Sequence, residues 1–174
     1  MKIRILAFIT ILFSSCAPKT ENIPTSPMYF DIKGYFEKEA DRLLKLNLSI
    51  SKTVSVNQED EQKKVRIKDY KKELSAFISS DINKASWRGA FVELKNSNLT
   101  SYRTDNAKIP VKKIEITYDE SSISSIRIIA ETTNILYASR DTLIYYPDSL
   151  YQIKKTQKIK WLKEKSYKVI GQFK

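Results

Sequence analysis

KIEITYDESSISSIRIIAE occupies residues 113–131 and alternates apolar with polar side chains on either side of a polar centre. Ile114, Ile116 and Tyr118 fall two residues apart, which places their side chains on one face of an extended strand. A short polar run then separates them from a second apolar strand that begins at Ile126. The pattern predicts one antiparallel β-hairpin.

Three further strands are predicted between this hairpin and the C-terminus. Residues 134–146 and 150–162 are rich in β-branched and aromatic side chains, and Pro147 marks the turn between them. A last strand is predicted over residues 167–173. Together with the hairpin, these segments predict a meander of about five antiparallel strands.

Two amphipathic helices are predicted ahead of the meander. Apolar residues recur at helical spacing over 30–47, with Asp31 as the N-cap, and again over 69–82. Between them, β-type runs at 53–56 and 64–67 flank a polar segment and predict a short hairpin with an acidic tip. The predicted fold class is therefore α+β: two helices packed on one face of an antiparallel meander sheet of about five strands, plus a short N-terminal β-hairpin.

The N-terminus has the features of an export signal. A basic start is followed by the apolar run 5–13 and by two serines directly before Cys16, the one cysteine in the chain. The apolar run is shorter than the roughly 20 residues that span a bilayer as a helix, so residues 1–15 are predicted to be a cleaved signal peptide. The alternative is a signal peptide cut nearby, which would leave Cys16 as a free thiol.

The Ser-Ser-Cys sequence that ends at Cys16 resembles the lipobox of bacterial lipoproteins. The resemblance implies acylation of Cys16 and export to a lipid-anchored position in the cell envelope, with the outer membrane as the expected location. Residues 16–28 contain three prolines among mostly polar residues, which predicts an extended tether. Residues 29–174 have the length of one domain, and a single α+β domain is predicted there.

The composition excludes the most common catalytic designs. The chain has no histidine and no cysteine besides Cys16, so it cannot form a Ser-His-Asp or Cys-His site. It also lacks the ligands that most zinc, copper and haem sites use. Its three glycines lie far apart, so no glycine-rich loop can hold a phosphate group. We therefore expect no cofactor, no metal site and no enzymatic activity.

Basic residues are in excess, with 31 lysines and arginines against 20 acidic residues and a net charge of +11. Such a surface favours anionic partners. Lys154, Lys158 and Lys160 share one parity on the fourth predicted strand, and Lys168 lies on its neighbour. These four lysines are a candidate face for lipid phosphates or polysaccharide carboxylates. The alternative is a solvated face whose lysines prevent edge-to-edge pairing.

Aromatic residues are expected mainly in the core. Trp87 is predicted to anchor there, because its neighbours are apolar. Packing inside the sheet is the expected role of the C-terminal tyrosines, and a groove that stacks sugars is the alternative. These tyrosines are Tyr137, Tyr145, Tyr146, Tyr151 and Tyr167. Single-stranded nucleic acid is not an expected partner for an exported lipoprotein.

Two tripeptides resemble the Asp-Ser/Thr-aliphatic sites at which exported proteins of Bacteroidota receive O-linked glycans. They are Asp-Thr-Leu around Thr142 and Asp-Ser-Leu around Ser149, so Thr142 and Ser149 are candidate O-glycosylation sites. With its Ser-Ser-Cys leader, its Lys- and Tyr-rich sheet and its few glycines, the chain resembles the small uncharacterised envelope lipoproteins of that phylum. This resemblance implies no particular functional residues.

The sequence therefore predicts a non-enzymatic envelope lipoprotein that contacts an anionic lipid, a polysaccharide or another envelope protein. One alternative is a periplasmic carrier or chaperone that holds a lipid or a lipoprotein between its helices and its sheet, which requires an unfilled apolar cavity. The second alternative is a carboxylate-based hydrolase. Its acid pair would be Glu115 and Glu131, the one carboxylate pair predicted on adjacent strands.

Overall fold

The structure is a computed structural model that describes residues 27–173. The predicted signal peptide, Cys16 and the tether up to residue 26 lie outside the described residues. Within residues 27–173, none of the helices is both long enough and apolar enough to cross a membrane.

Residues 27–173 form nine strands and three helices, and two of the helices have only four residues. A single turn of 3-10 helix at Ala85–Trp87 precedes the third strand. In chain order the elements are α1 (Ile32–Leu46), β1 (Ser49–Val56), β2 (Glu59–Arg66), α2 (Tyr70–Glu73), α3 (Ser75–Ile78), β3 (Val92–Lys95), β4 (Leu99–Arg103), β5 (Val111–Asp119), β6 (Ser122–Thr133), β7 (Tyr137–Tyr146), β8 (Leu150–Ile159) and β9 (Lys165–Phe173).

All nine strands belong to one antiparallel sheet in the order β2-β1-β9-β8-β7-β6-β5-β4-β3. Strands β3 to β9 form a meander, and the N-terminal hairpin joins it because β1 pairs with β9. The hairpin predicted at 113–131 is confirmed as β5 and β6. The predicted α+β class, with two helices on a sheet of about five strands, is wrong, because the protein is mostly β.

The sequence pattern does not reveal the extra strands. All four residues of β3 are exposed, so the strand shows no alternation between buried and exposed positions. Strand β4 buries Thr100, Ser101 and Tyr102 in succession, which also breaks the period of two. The pairing of β1 with β9 joins opposite ends of the domain and leaves no local sequence signature.

Helix α1 confirms the first predicted helix. The Asp31 carboxylate accepts a hydrogen bond from the Gly34 N–H at 2.8 Å, so it caps the helix as expected. Ile32 and Phe36 are fully buried on the apolar side. Glu39, seven residues after Ile32 and therefore on the same side of the helix, is buried as well.

The second predicted helix, residues 69–82, is wrong as a continuous element. Leu74 has φ −92° and ψ 13°, far from helical geometry, and separates α2 from α3. Tyr70, Leu74 and Phe77 are nevertheless all buried. The predicted apolar face is therefore confirmed, although two short turns of helix present it instead of one long helix.

The sheet has two different faces. Residues that are register partners on neighbouring strands project their side chains from the same face. Tyr145, Tyr151, Gly171 and Lys52 form one row of such partners, so their side chains share a face. The ring of Phe36 on α1 lies 5.2 Å from that of Tyr145, so the helices pack on this side. We call it the helix face and the opposite side the open face.

The centre of the helix face is a filled aromatic core. The ring centre of Phe36 lies 4.6 Å from that of Phe77, and the ring centre of Phe77 lies 6.1 Å from that of Tyr145. All three side chains are fully buried. Such contacts have the density of a protein interior.

The aromatic residues predicted in the core differ in their burial. Tyr145 and Tyr151 are fully buried, whereas Tyr146 is exposed. Trp87 is half-buried against the core, and the Lys84 ammonium lies 4.1 Å from the centre of its indole ring. Trp161, beyond the end of β8, is 85% exposed.

Strand β8 ends earlier than predicted. Its last residue, Ile159, pairs with Tyr137, the first residue of β7, so β7 offers no partner to the residues beyond Ile159. The chain turns there, and Trp161 has a positive φ of 68°. The predicted extension to residue 162 is wrong for this reason.

The connection between β1 and β2 is also tighter than predicted. It is the two-residue turn Asn57-Gln58, and both residues have positive φ, 50° and 78°. Such values are typical of the type I′ turn, which matches the twist of a hairpin. The acidic residues predicted at the tip lie in β2 instead, and Asp60 becomes the register partner of Ser55.

Candidate anion-binding site

One row of register partners crosses the open face near its β1–β2 turn. The row contains Asp60 on β2, Ser55 on β1, Lys168 on β9, Lys154 on β8 and Thr142 on β7. Residues in such a row project from the same face of the sheet. The row therefore sets two lysines side by side, next to a serine.

Lys154 and Lys168 are directly opposite each other in the antiparallel pair β8 and β9. Like charges in this position destabilise a sheet. Within residues 27–173, no ion pair includes either lysine. Elsewhere on the open face opposite charges meet, as in the 2.8 Å ion pair between Arg140 and Glu131. The two lysines are thus an unneutralised pair of like charges on adjacent strands.

A cavity of about 840 Å³ lies over this row. Its volume falls in the range of small-molecule sites, roughly 300–1,000 Å³. The Asn57-Gln58 turn and the segment between β8 and β9 border it. Its charged lining residues are four lysines and two acidic residues: Lys154, Lys163, Lys165 and Lys168, with Asp60 and Glu164. The cavity is therefore basic.

Asn57 fixes one border of the cavity. Its backbone N–H donates to the Ser166 carbonyl at 2.9 Å, and its side-chain oxygen accepts from the Ser166 N–H at 3.1 Å. The turn between β1 and β2 is therefore held against β9. Asparagine tolerates the left-handed backbone of this position better than most residues do.

Ser55 lines the same cavity and has an unusual environment. The residue is 5% exposed, and its buried hydroxyl has no hydrogen-bond partner among residues 27–173. A buried hydroxyl without a partner costs about 1–3 kcal/mol. Such a group is uncommon in folded proteins and calls for an explanation. The Ser55 side chain would have to turn toward the cavity for its covered hydroxyl to donate to an anion there.

The four lysines predicted to form an anionic-ligand face do not stay together. Lys154 and Lys168 line the cavity. Lys158 lies on the same face but pairs with Ala138, away from the lining residues. Lys160 follows the end of β8, and its ammonium lies 4.7 Å from the ring centre of Trp161. The structure thus brings together two of the four.

The cavity is also lined by Ser55, Lys163 and Lys165, which the sequence analysis does not identify as site residues. The alternation of side chains along β8 predicts that Lys154 lies on the lysine face of the strand. It carries no information about the segment between β8 and β9, which borders the cavity. The position of Ser55 depends on the pairing of β1 with β9, which is not local in sequence.

The candidate acid pair is widely separated. Glu115 and Glu131 both lie on the open face, but the register partner of Glu115 is Arg127, four residues from Glu131 along β6. At ~3.3 Å per residue this is about 13 Å, more than the separation of about 5–9.5 Å in glycosidase pairs. Each carboxylate also forms a 2.8 Å ion pair, Glu115 with Lys113 and Glu131 with Arg140.

The two candidate glycosylation residues have different surroundings. Thr142 is half-buried in the middle of β7 and is the register partner of Lys154. Ser149 is exposed in the turn between β7 and β8, where Asp148 forms a 2.7 Å ion pair with Arg42. Glycosylation of either residue stays a prediction, and Ser149 is the more accessible of the two.

Two buried tyrosine–carboxylate contacts lie on the helix face. The Tyr145 hydroxyl donates to Glu39 on α1, and the Tyr151 hydroxyl donates to Glu73 on α2, which also pairs with Lys52 at 2.6 Å. Burial, together with the hydrogen bond to its carboxylate, raises the pKa of each tyrosine far above its ordinary value. These contacts tie the helices to the sheet, and we assign them a structural role.

Compared with protein-family models, with curated protein sequences and with solved structures, the chain matches none of them. Its function is therefore inferred from the residues and the geometry described above.

Proposed function

We propose that this protein is a non-enzymatic binding module of the bacterial envelope that holds an anionic group in the cavity of its open face. The observation that carries the proposal is the unneutralised pair Lys154 and Lys168 beside the unpartnered hydroxyl of Ser55. An anion between the two ammonium groups removes their repulsion and accepts a hydrogen bond from the hydroxyl.

The chemistry of the cavity favours phosphate over carboxylate. Lysine binds as a compact point charge with three donors, whereas the planar fork of arginine matches a carboxylate in two-point contact. All four basic residues that line the cavity are lysines. A phosphate-bearing lipid head group or polysaccharide is therefore the ligand class that we assign to it.

The location of the protein is part of the same proposal. The lipobox-like sequence before Cys16 supports a lipid anchor, and the proline-rich segment after it supports a tether between the anchor and the domain. Anionic lipids and polysaccharides are components of that compartment. An anchored basic module would meet them at high local concentration.

The helix face supports a binding module rather than a carrier. A carrier needs an unfilled apolar cavity between the helices and the sheet, and the rings of Phe36, Phe77 and Tyr145 pack together there. The separation and the ion pairing of Glu115 and Glu131 support a non-enzymatic role.

Calorimetric titration of the protein with pyrophosphate tests the cavity. We expect binding at low salt that weakens as ionic strength rises above ~0.1 M, where the Debye length is near 10 Å. Lys154→Gln with Lys168→Gln should lower the affinity at least about tenfold, because each charged hydrogen bond is worth about 1.5–3 kcal/mol. The matched control is Lys38→Gln with Lys45→Gln, which removes equal charge from exposed positions on α1.

Ser55→Ala separates binding from folding. Removing an unsatisfied buried hydroxyl should leave stability unchanged or raise it by about 1 kcal/mol, while the affinity for pyrophosphate falls about 3- to 10-fold. If the double variant at Lys154 and Lys168 bound pyrophosphate with the same affinity as the double variant on α1, the proposal would be contradicted. An absence of pyrophosphate binding by the parent at low salt would contradict it too, and would leave the lysines as a solvated face.

A further inference from the structure

Five apolar side chains are exposed together at one end of the sheet. Ile135 and Leu136 lie in the turn between β6 and β7, and Ile159, Trp161 and Leu162 lie at the end of β8 and just beyond it. We call these five residues the apolar tip. Ile135 is 88% exposed and Trp161 85%, the highest values among the large exposed apolar residues of the described chain.

Hydrogen bonds hold the two turns of the tip together. The Lys160 N–H donates to the Leu136 carbonyl at 2.9 Å, which links one turn to the other. Within the first turn, the Asn134 side-chain oxygen accepts from the N–H groups of Leu136 and Tyr137, both at 2.9 Å. The apolar side chains are therefore presented by a defined backbone.

The backbone of Trp161 is unfavourable for so large a residue. Its φ of 68° lies in the left-handed region, where a bulky side chain is an outlier and glycine or asparagine is usual. Such strain persists where the surrounding structure imposes it and is concentrated at functional positions. At Trp161 the backbone strain coincides with exposure of the largest apolar side chain of the tip. An exposed apolar patch also marks a contact surface.

Positive charge surrounds the tip. Lys158, Lys160, Lys163 and Lys165 are all exposed, and Glu164 is the single carboxylate in segment 158–165. Aromatic side chains flanked by lysines are typical of positions at the boundary between lipid and water. Lysines near the surface of an anionic membrane are attracted to it.

We propose that the apolar tip inserts into the surface of an anionic lipid bilayer while its lysines contact the head groups. Lysine is depleted in protein–protein interfaces, so the composition favours a membrane over a protein partner. A second copy of the chain would bring two rings of lysines together, which is unfavourable. This contact depends on neither the cavity nor the lipid on Cys16. Because Lys163 and Lys165 also line the cavity, insertion would bring the cavity close to the head groups.

Fluorescence of Trp161 tests insertion directly. In the full chain with Cys16→Ser, which cannot be acylated, Trp87→Phe leaves Trp161 as the one tryptophan. Vesicles of phosphatidylglycerol and phosphatidylcholine should shift its emission to the blue, and brominated acyl chains should quench it. Phosphatidylcholine vesicles alone should have a much smaller effect. An unchanged emission with the anionic vesicles would overturn the proposal.

Matched variants in this background locate the contact. Ile135→Ser with Leu162→Ser keeps the reporter and should lower the partition coefficient at least about tenfold, because buried apolar area drives interfacial binding. Val92→Ser with Leu94→Ser is the control, since both residues are 66% exposed on edge strand β3. Insertion that survives the tip variant would overturn the proposal. A blue shift that appears without vesicles and grows with protein concentration would indicate that the tip contacts a second copy of the chain. That result would also overturn the proposal.

The same assay separates the tip from the cavity. Lys154→Gln with Lys168→Gln should lower the affinity for pyrophosphate at least about tenfold yet retain Trp161 insertion. Vesicle binding that disappears in this variant and persists in the tip variant would overturn the membrane proposal, because the cavity would then account for it.

Discussion

Glu39 lies on the buried side of α1, where an unpaired carboxylate would be strongly unfavourable. Arg42 donates two hydrogen bonds to it, at 2.7 and 2.8 Å, and the Tyr145 hydroxyl donates a third. The bonds to Glu39 raise the pKa of Arg42 further above its already high ordinary value. A charged residue is thus accommodated in the core because two elements supply its donors.

Gly171 provides a prediction about close packing. It is the register partner of Tyr151, and a Cβ atom there would overlap the tyrosine ring. The absence of a side chain lets the ring lie across β9 and reach Glu73. We therefore expect Gly171→Ala to lower the free energy of unfolding by about 1–3 kcal/mol, the usual cost of overpacking, measured by chemical denaturation.

A double variant checks the cause of this loss. Tyr151→Ala removes the ring, so adding Gly171→Ala to it should cost much less than Gly171→Ala costs alone. Gln172→Ala, at the exposed neighbouring position, is the control. Equal losses at Gly171 with and without the ring would show that the overlap with Tyr151 is not responsible.

The helices depend on the sheet for their stability. Four-residue helices such as α2 and α3 are not stable alone, since a helix nucleus is costly and short helices are marginal in water. Their apolar residues are buried against α1 and the sheet all the same. Helical periodicity therefore marks which side chains are buried, while packing decides how much of the segment is helical.

Truncation of the aromatic core tests this dependence. Phe36→Ala should lower the free energy of unfolding by about 3–5 kcal/mol and Leu74→Ala by about 2–5 kcal/mol, because both side chains are fully buried. Leu44→Ala, on the same helix as Phe36 but 47% exposed, should change it by no more than about 0.5 kcal/mol. Denaturant titration measures all three. Losses below about 1 kcal/mol at Phe36 or Leu74 would contradict the packing described.

The buried tyrosines make the stability of the whole molecule sensitive to alkali. Burial, reinforced by Glu39, raises the pKa of Tyr35 to about 12, and burial raises the pKa of Tyr102 to about 12. The pKa values of Tyr145 and Tyr151 are raised further. An unfolded tyrosine titrates near pH 10. The folded protein thus keeps protons that the unfolded chain loses between about pH 10 and 12.

Stability from these residues should therefore be complete below about pH 10 and should fall as the pH rises toward 12. Unfolding followed by circular dichroism, with tyrosinate absorbance recorded in parallel, measures the effect. We expect the fully buried Tyr145 and Tyr151 to ionise only with unfolding. A constant free energy of unfolding across this interval would contradict the prediction.

The molecule concentrates its candidate binding features at one end of the sheet. The β8–β9 segment contributes Trp161 and Leu162 to the apolar tip and Lys163 and Lys165 to the cavity. Elsewhere on the open face some charged residues pair with one another, as Glu115 does with Lys113 and Glu131 with Arg140. This end combines exposed apolar area with lysines that form no ion pair within the described part of the chain.

Properties that arise within one element could be predicted from the sequence. The alternation in 113–131 predicts β5 and β6, the helical spacing after Asp31 predicts α1, and the parity of β8 predicts Lys154 on the open face. The lack of histidine excludes active sites that need this residue, such as a Ser-His-Asp triad. This conclusion needs no structure, because composition does not depend on the fold. Periodicity records which side of an element is buried.

Pairing between distant elements became visible only in the folded chain. The pairing of β1 with β9 converts a separate hairpin into part of one nine-stranded sheet and brings Ser55 next to Lys168. The left-handed turn that exposes Trp161 follows from where β7 begins, and Glu39 receives a hydrogen bond from Tyr145 on β7, far from it in the chain. These features depend on hydrogen bonds and contacts between residues far apart in the chain, which local sequence patterns do not encode.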